Sequence, residues 1–342
     1  MNINERKLLI LKAIIDDFIN TAQPVGSRTL AKNYPLGISS ATIRNEMADL
    51  EDLGLLQQPH TSAGRIPSGQ GYRLYVDNLM KHSALGRAQQ EKIKSLLLSN
   101  LIELDDVVKQ AVKLLSQITG MTAVISLPKF NLSKLENIKL VKINDQKVLL
   151  ILVSNSGDFK TIPLGINSSN QQVLDMITDA MTKRLHGLTI KDITLRTIGA
   201  IKSDLPNYIG FIDYLMPILR DTFRDIDQVE TYVEGIHNVL NLPEFQEVGR
   251  AQEFFDTMES REKICKMLEN GEAEGITVRI GPEIGLEELS DCSMIRASYK
   301  VNNVVAGSLA VIGPMRMDYG ASVAVVDYIR ETLSEIFSGI NL

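Results

Sequence analysis

Leu8, Leu11, Ile14, Ile15 and Phe18 recur at helical spacing over residues 4–21, and Asn4 stands where an N-cap belongs. The run QPVG ends that helix. Residues 27–34 predict a short second helix, capped by Ser27 and stopped before Pro35. A third follows, capped by Ser39 or Ser40, with Ile43, Met47, Leu50 and Leu53 as its inner stripe and Gly54 as its stop. LLQQPHT and RIPS then predict two short strands around the turn SAG. A fourth helix begins near Gly69 and carries Tyr72, Leu74, Tyr75 and Leu79. Three helices followed by a hairpin is the order of a winged helix-turn-helix.

Residues 83–120 keep a helical pattern and predict a linker helix region. Strands follow at 121–128, 137–145 and 147–164, alternating and separated by polar turns. The pattern turns helical again over roughly 165–230, with amphipathic runs at 171–185 and 207–223, and a helical pair occupies 243–270. The strands ITVRIG, CSMIRASYKVNN and VVAGSLAVIGP return before a closing helix. Strands on both sides of a helical interval predict a multidomain α+β chain. Residues 1–82 form its head, 83–120 a linker, and 121–164 with 231–342 one discontinuous domain interrupted by an insertion at 165–230.

The 342 residues are 44% apolar, enough for two or three domains. Two cysteines, Cys265 and Cys292, stand far apart, which points to a reducing compartment without a disulfide framework. The first twelve residues lack a signal-peptide layout, and the apolar run VLLILV at 148–153 is far too short to span a bilayer. The expectation is a cytoplasmic protein without a membrane partner. The net charge of −6 is unevenly spread. Residues 1–82 hold nine Lys and Arg against eight acids, leaving 27 against 34 for the rest. A near-neutral head on an acidic body can bind DNA if its cations share a face.

That face is predicted at the start of the third helix. The inner stripe leaves Ser39, Ser40, Thr42, Arg44 and Asn45 outward, at the end that enters the major groove in helix-turn-helix proteins. Arginine pairs with guanine, asparagine with adenine, and hydroxyls with phosphate or base. The acids Glu46, Asp49, Glu51 and Asp52 cluster toward the other end. The hairpin adds His60, Thr61, Ser62 and Arg65, the last as a candidate phosphate or minor-groove contact. Chemistry of other kinds has little support. His60, His82, His186 and His237 show no metal spacing with either cysteine, and neither a nucleophile elbow nor a phosphate loop is present. No cofactor, metal or catalytic activity is expected. A ligand sensor remains as a second class, with Arg279 to Glu283 and Gly313 to Tyr319 as candidate lining, against the alternative that side chains fill the space.

Two stretches add a resemblance. Residues 24–77, PVGSRTLAKNYPLGISSATIRNEMADLEDLGLLQQPHTSAGRIPSGQGYRLYVD, and residues 291–319, DCSMIRASYKVNNVVAGSLAVIGPMRMDY, closely resemble the HrcA family of bacterial heat-inducible transcription repressors. The resemblance implies a winged helix, a GAF-like domain and a dimerising domain inserted into it. It implies a homodimer on double-stranded DNA, at the inverted-repeat CIRCE operator ahead of chaperonin and DnaK operons. It also implies dependence on the GroE chaperonin. For the dimer contact the amphipathic run at 207–223 offers Ile209, Phe211, Ile212, Tyr214, Leu215 and Met216, although these residues equally suit packing within their own domain.

Overall fold

In the computed structural model, which describes residues 3–60, 63–81, 83–98, 104–127, 133–155, 157–166, 170–226, 230–269 and 275–339, the chain starts on a capped helix. The Asn4 side chain accepts the Lys7 N–H at 2.9 Å and opens α1 (Glu5–Thr21), which buries Ile10, Leu11, Ile14 and Ile15. Helix α2 (Ser27–Asn33) differs from expectation. Its N-cap is Gly26, and Ser27 occupies the first helical position without capping. Helix α3 (Ser40–Asp52) buries Ile43, Met47 and Leu50 against α1 and α2. Strands β1 (Leu56–Gln57) and β2 (Ile66–Pro67) pair antiparallel, and Ser68 caps α4 (Gly69–Asn78). The hairpin is tied back to the α1–α2 turn, where Val25 and Arg65 exchange both backbone hydrogen bonds at 2.9 Å. A Cβ on the intervening Gly64 would lie 2.3 Å from the Val25 carbonyl oxygen, so this approach requires glycine.

Helices α5 (Arg87–Leu98) and α6 (Leu104–Thr119) lead into β3 (Thr122–Ser126). The chain then forms β4 (Leu135–Asn144), β5 (Lys147–Ser154), β6 (Phe159–Leu164), α7 (Gln171–Leu185), α8 (Leu195–Asp204) and α9 (Ile209–Ile226). It returns through β7 (Thr231–Glu234), α10 (Val248–Glu259), α11 (Arg261–Glu269), β8 (Ile276–Ile280), β9 (Cys292–Val301), β10 (Val304–Pro314) and α12 (Tyr319–Gly339). Two compact units result: residues 1–128 with 230–342, and residues 129–229.

In the first unit five antiparallel strands lie in the order β7-β3-β10-β9-β8. Strand alternation sorts their side chains. Ile125, Ile295, Tyr299 and Leu309 join α6 and α12 on one face, while Val124, Met294, Ala310 and Ile312 join α10 and α11 on the other. In the second unit β4, β5 and β6 form a meander of their own. The pattern had grouped these strands with the one at 121–128. Instead they pair with one another, because the turns between them are short and β5 offers Val148, Leu150 and Leu152 to the helices that follow directly. No described helix is long and apolar enough to cross a membrane.

Candidate nucleic-acid interface

Helix α3 presents its N-terminal half to solvent. Ser39 spends its hydroxyl on the cap, accepting the Thr42 N–H at 3.1 Å and lying 2.9 Å from the Thr42 hydroxyl. These two side chains therefore order the helix start rather than stand free. Ser40 is half-buried beside them, and Ala41 is exposed and small. Arg44 and Asn45 are exposed, and neither makes an ion pair or hydrogen bond among the described residues. Arg44 and Asn45, side-chain types suited to base edges, are thus unengaged among the described residues on the outer face of α3.

Glu46 and Asp49, further along α3, are neutralised by pairing as well as set apart by distance. Lys7 Nζ lies 2.9 Å from both Glu46 and Asp49, and Arg6 adds a 3.5 Å contact to Glu46. The hydrogen bond to Asp49, then that to Glu46, holds Lys7 above the ordinary lysine range. Two cations overlooked in the sequence join the exposed set. Arg28 and Lys32 of α2 face solvent without a partner among the described residues. Their spacing of four on the helix before α3 was the available signal.

The hairpin departs from expectation at Arg65. Its Nε and Nη2 both lie 2.8 Å from Glu51 Oε2, and its backbone holds Val25. Arg65 braces the hairpin against α3. The pattern placed Glu51 on a helix and Arg65 on a hairpin, and no sequence spacing announces that they meet. His60 is exposed at the turn, where Gln58 Nε2 donates to the Ala63 carbonyl at 3.2 Å. Thr61 and Ser62 lie outside the described residues.

The six residues offered for a dimer contact divide. Ile212, Leu215 and Met216 are buried in the core of the second unit with Leu219 and Phe223, which corrects their assignment to an outer surface. They recur at intervals of three and four and therefore share one helix face, which meets the β4–β6 sheet. Phe211 is half-buried at the edge of that core, and Ile209 and Tyr214 remain 43% and 47% exposed. The sheet's opposite face is less covered. Leu149, Ile151 and Val153 of β5 are partly exposed there, beside Phe159 of β6. No group of three His, Cys, Asp or Glu side chains that could hold a metal occurs among the described residues.

Comparison with known proteins agrees along the whole chain. The model of the HrcA protein C-terminal domain matches residues 105–323. A heat-inducible transcription repressor HrcA of Clostridium acetobutylicum is 41% identical over 343 residues, covering 100% of this chain and 98% of that one. Its counterpart in Acetivibrio thermocellus is 41% identical over 342 residues, with 98% and 96% covered. Among solved structures, a crystal structure of a hypothetical protein shares the fold at a TM-score of 0.63, with 24% identity and 99% of both chains covered.

Proposed function

Because the chain belongs to the HrcA family of heat-inducible transcription repressors, we propose that residues 1–82 are a winged-helix reading head and that the protein represses chaperone operons by binding their DNA. Helix α3 enters the major groove, Arg44 and Asn45 read base edges, and Arg28 and Lys32 lie along the phosphates. The observation that carries this reading is that Arg44 and Asn45 have no partner among the described residues, on a helix whose Glu46 and Asp49 are already neutralised. The Arg65–Glu51 pair holds the wing in register beside that helix.

The operator is the inverted repeat CIRCE, and the repressor acts as a homodimer with its five-stranded sheet as a GAF-like domain. Residues 129–229 supply the dimer contact through the exposed face of the β4–β6 sheet rather than through Ile212 or Leu215. Two heads on one inverted repeat share a single binding event, which raises affinity without new contacts. Residues 129–229 separate β3 in the chain from the other four strands of the five-stranded sheet. Such a topology folds slowly and exposes apolar surface meanwhile, which suits dependence on the GroE chaperonin.

The test is an anisotropy titration of the inverted repeat against a scrambled duplex. Arg44→Ala and Asn45→Ala should each lose about 1–3 kcal/mol on the repeat and little on the scrambled duplex. Parent-like binding by both variants removes α3 as the reading helix. Refolding from denaturant with and without chaperonin tests the last element, and full recovery of operator binding without it would remove that dependence.

A further inference from the structure

The face of the five-stranded sheet that meets α10 and α11 changes character along its length. At one end Val124, Met294, Ala310 and Ile312 pack against those helices. At the other the same face carries Ser126, Arg296, Ser298 and Ser308, all buried. A buried polar layer is costly unless its groups are satisfied, and this one is not. Arg296 is 4% exposed. Its Nε donates to the Leu268 carbonyl at 2.7 Å and its Nη2 to the Ser308 hydroxyl at 2.9 Å. Its Nη1 has no partner among the described residues.

Strand β8 adds two more groups to that corner. Thr277 stands directly opposite Arg296, and Arg279 opposite Met294, so both point to the same face. The Thr277 hydroxyl is buried and has no partner among the described residues. Arg279 makes no ion pair or hydrogen bond among the described residues. Burial first, and then the Arg279 charge, hold Arg296 below the ordinary arginine range. Two mutually repelling guanidinium groups beside an orphan hydroxyl lack one complement, an anion. Guanidinium N–H groups match the paired oxygens of a carboxylate or phosphate.

We propose that Arg296, Arg279 and Thr277 form the binding site of a small effector that presents a carboxylate or phosphate group. Its position gives it a route to the DNA. Val278, between Thr277 and Arg279, directs its carbonyl to α4 of the head and accepts from Arg73 Nη1 at 2.8 Å. The same Nη1 donates to Glu283 Oε2 at 3.0 Å, which also takes the Ile280 N–H at 2.9 Å. One strand therefore holds the head by its backbone and the anion by its side chains. An anion that draws Arg279 toward Arg296 bears on the strand that anchors α4, and so biases the head's seating. This coupling rests on the DNA-binding reading of the head; the anion site does not.

Binding is measured on the full chain by equilibrium dialysis, at constant ionic strength, with inorganic phosphate and with succinate as separate probes. At least one probe should show saturable uptake at one site per chain. Arg279→Gln, at a half-exposed position, should weaken that uptake at least about tenfold, the scale of one lost charge-assisted hydrogen bond. Arg296→Lys should do the same. Arg44→Ala should leave it unchanged, which separates this site from any phosphate held by the head. Failure of both probes to bind saturably, uptake indifferent to Arg279→Gln, or uptake lost in Arg44→Ala would each overturn the site. If Arg296→Lys does not fold, Arg279→Gln decides. Operator titrations with the bound probe then read the coupling: a shifted Kd in the parent should vanish in Arg73→Gln. A shift equal in both proteins, or none in the parent, overturns the coupling, while operator binding absent throughout condemns the reading of the head and leaves the dialysis result standing.

Discussion

Helices α3 and α9 look alike as patterns, yet the structure treats their outer residues in opposite ways. Each has an apolar stripe and a set of residues proposed to meet a partner. On α3 the partner residues were polar, and the structure leaves Arg44 and Asn45 outside, without a partner among the described residues. On α9 the partner residues were apolar, and Ile212, Leu215 and Met216 are taken into the unit's own core. The difference is physical. A charged side chain is kept out of an apolar core unless buried polar groups meet it, as the Leu268 carbonyl and the Ser308 hydroxyl meet Arg296, so where the core offers no such groups its place outside follows from its chemistry. An apolar side chain is buried equally well by its own sheet or by another chain, so its chemistry does not choose between them.

The comparison is attacked hardest at Leu215. Leu215→Asp should unfold the second unit or cost it at least about 3 kcal/mol, because it places a carboxylate in a sealed apolar core. Urea unfolding followed by circular dichroism reads this, and a variant that stays folded but monomeric would return Leu215 to the dimer contact. A second difference is expected at high pH, where the first unit is the vulnerable one. Burial raises the phenols of Tyr72, Tyr75, Tyr299 and Tyr319, all in that unit. The folded state therefore keeps protons that the unfolded chain releases near pH 10, so this stability is complete below pH 10 and is lost above it. Tyrosinate absorbance and loss of ellipticity should rise together; early ionisation in a folded protein would contradict the burial.

Smaller effects sharpen the contrast from the α3 side. Arg44→Ala should change stability by less than about 0.5 kcal/mol while costing operator affinity several times that. Arg65→Ala should do the reverse of a phosphate contact. It removes the brace to Glu51, costing about 0.5–1 kcal/mol of stability for a partly exposed pair, and leaves the salt slope of DNA binding unaltered. A shallower slope would mean that Arg65 reaches phosphate after all. The smallest effect is expected at Tyr214, exposed on α9, where Tyr214→Ser should alter the unfolding free energy from a urea titration by less than about 0.5 kcal/mol.

The local pattern carried the head almost entirely. Asn4, Ser39 and the stripe Ile43–Met47–Leu50 announced helices that formed where expected, because caps and 3.6-residue periodicity act within a few residues of the chain. The Arg65–Glu51 pair was illegible for the opposite reason, since it depends on how the hairpin folds back over α3. The same holds for the strands: each alternation was visible, but β3 finds β7 and β10 across long stretches of chain, while β4, β5 and β6 pair locally.

By itself the sequence determined which residues are apolar, where helices start, and that a polar, partly basic face opens the third helix. Only the tertiary structure decided which apolar stripes meet their own core, which charges are neutralised, and that Arg296 Nη1 and the Thr277 hydroxyl share a buried corner without partners among the described residues. Helix caps and periodicity are written in neighbouring residues, whereas a buried charge is defined by the groups around it, and strand pairing brings those groups together from distant parts of the chain.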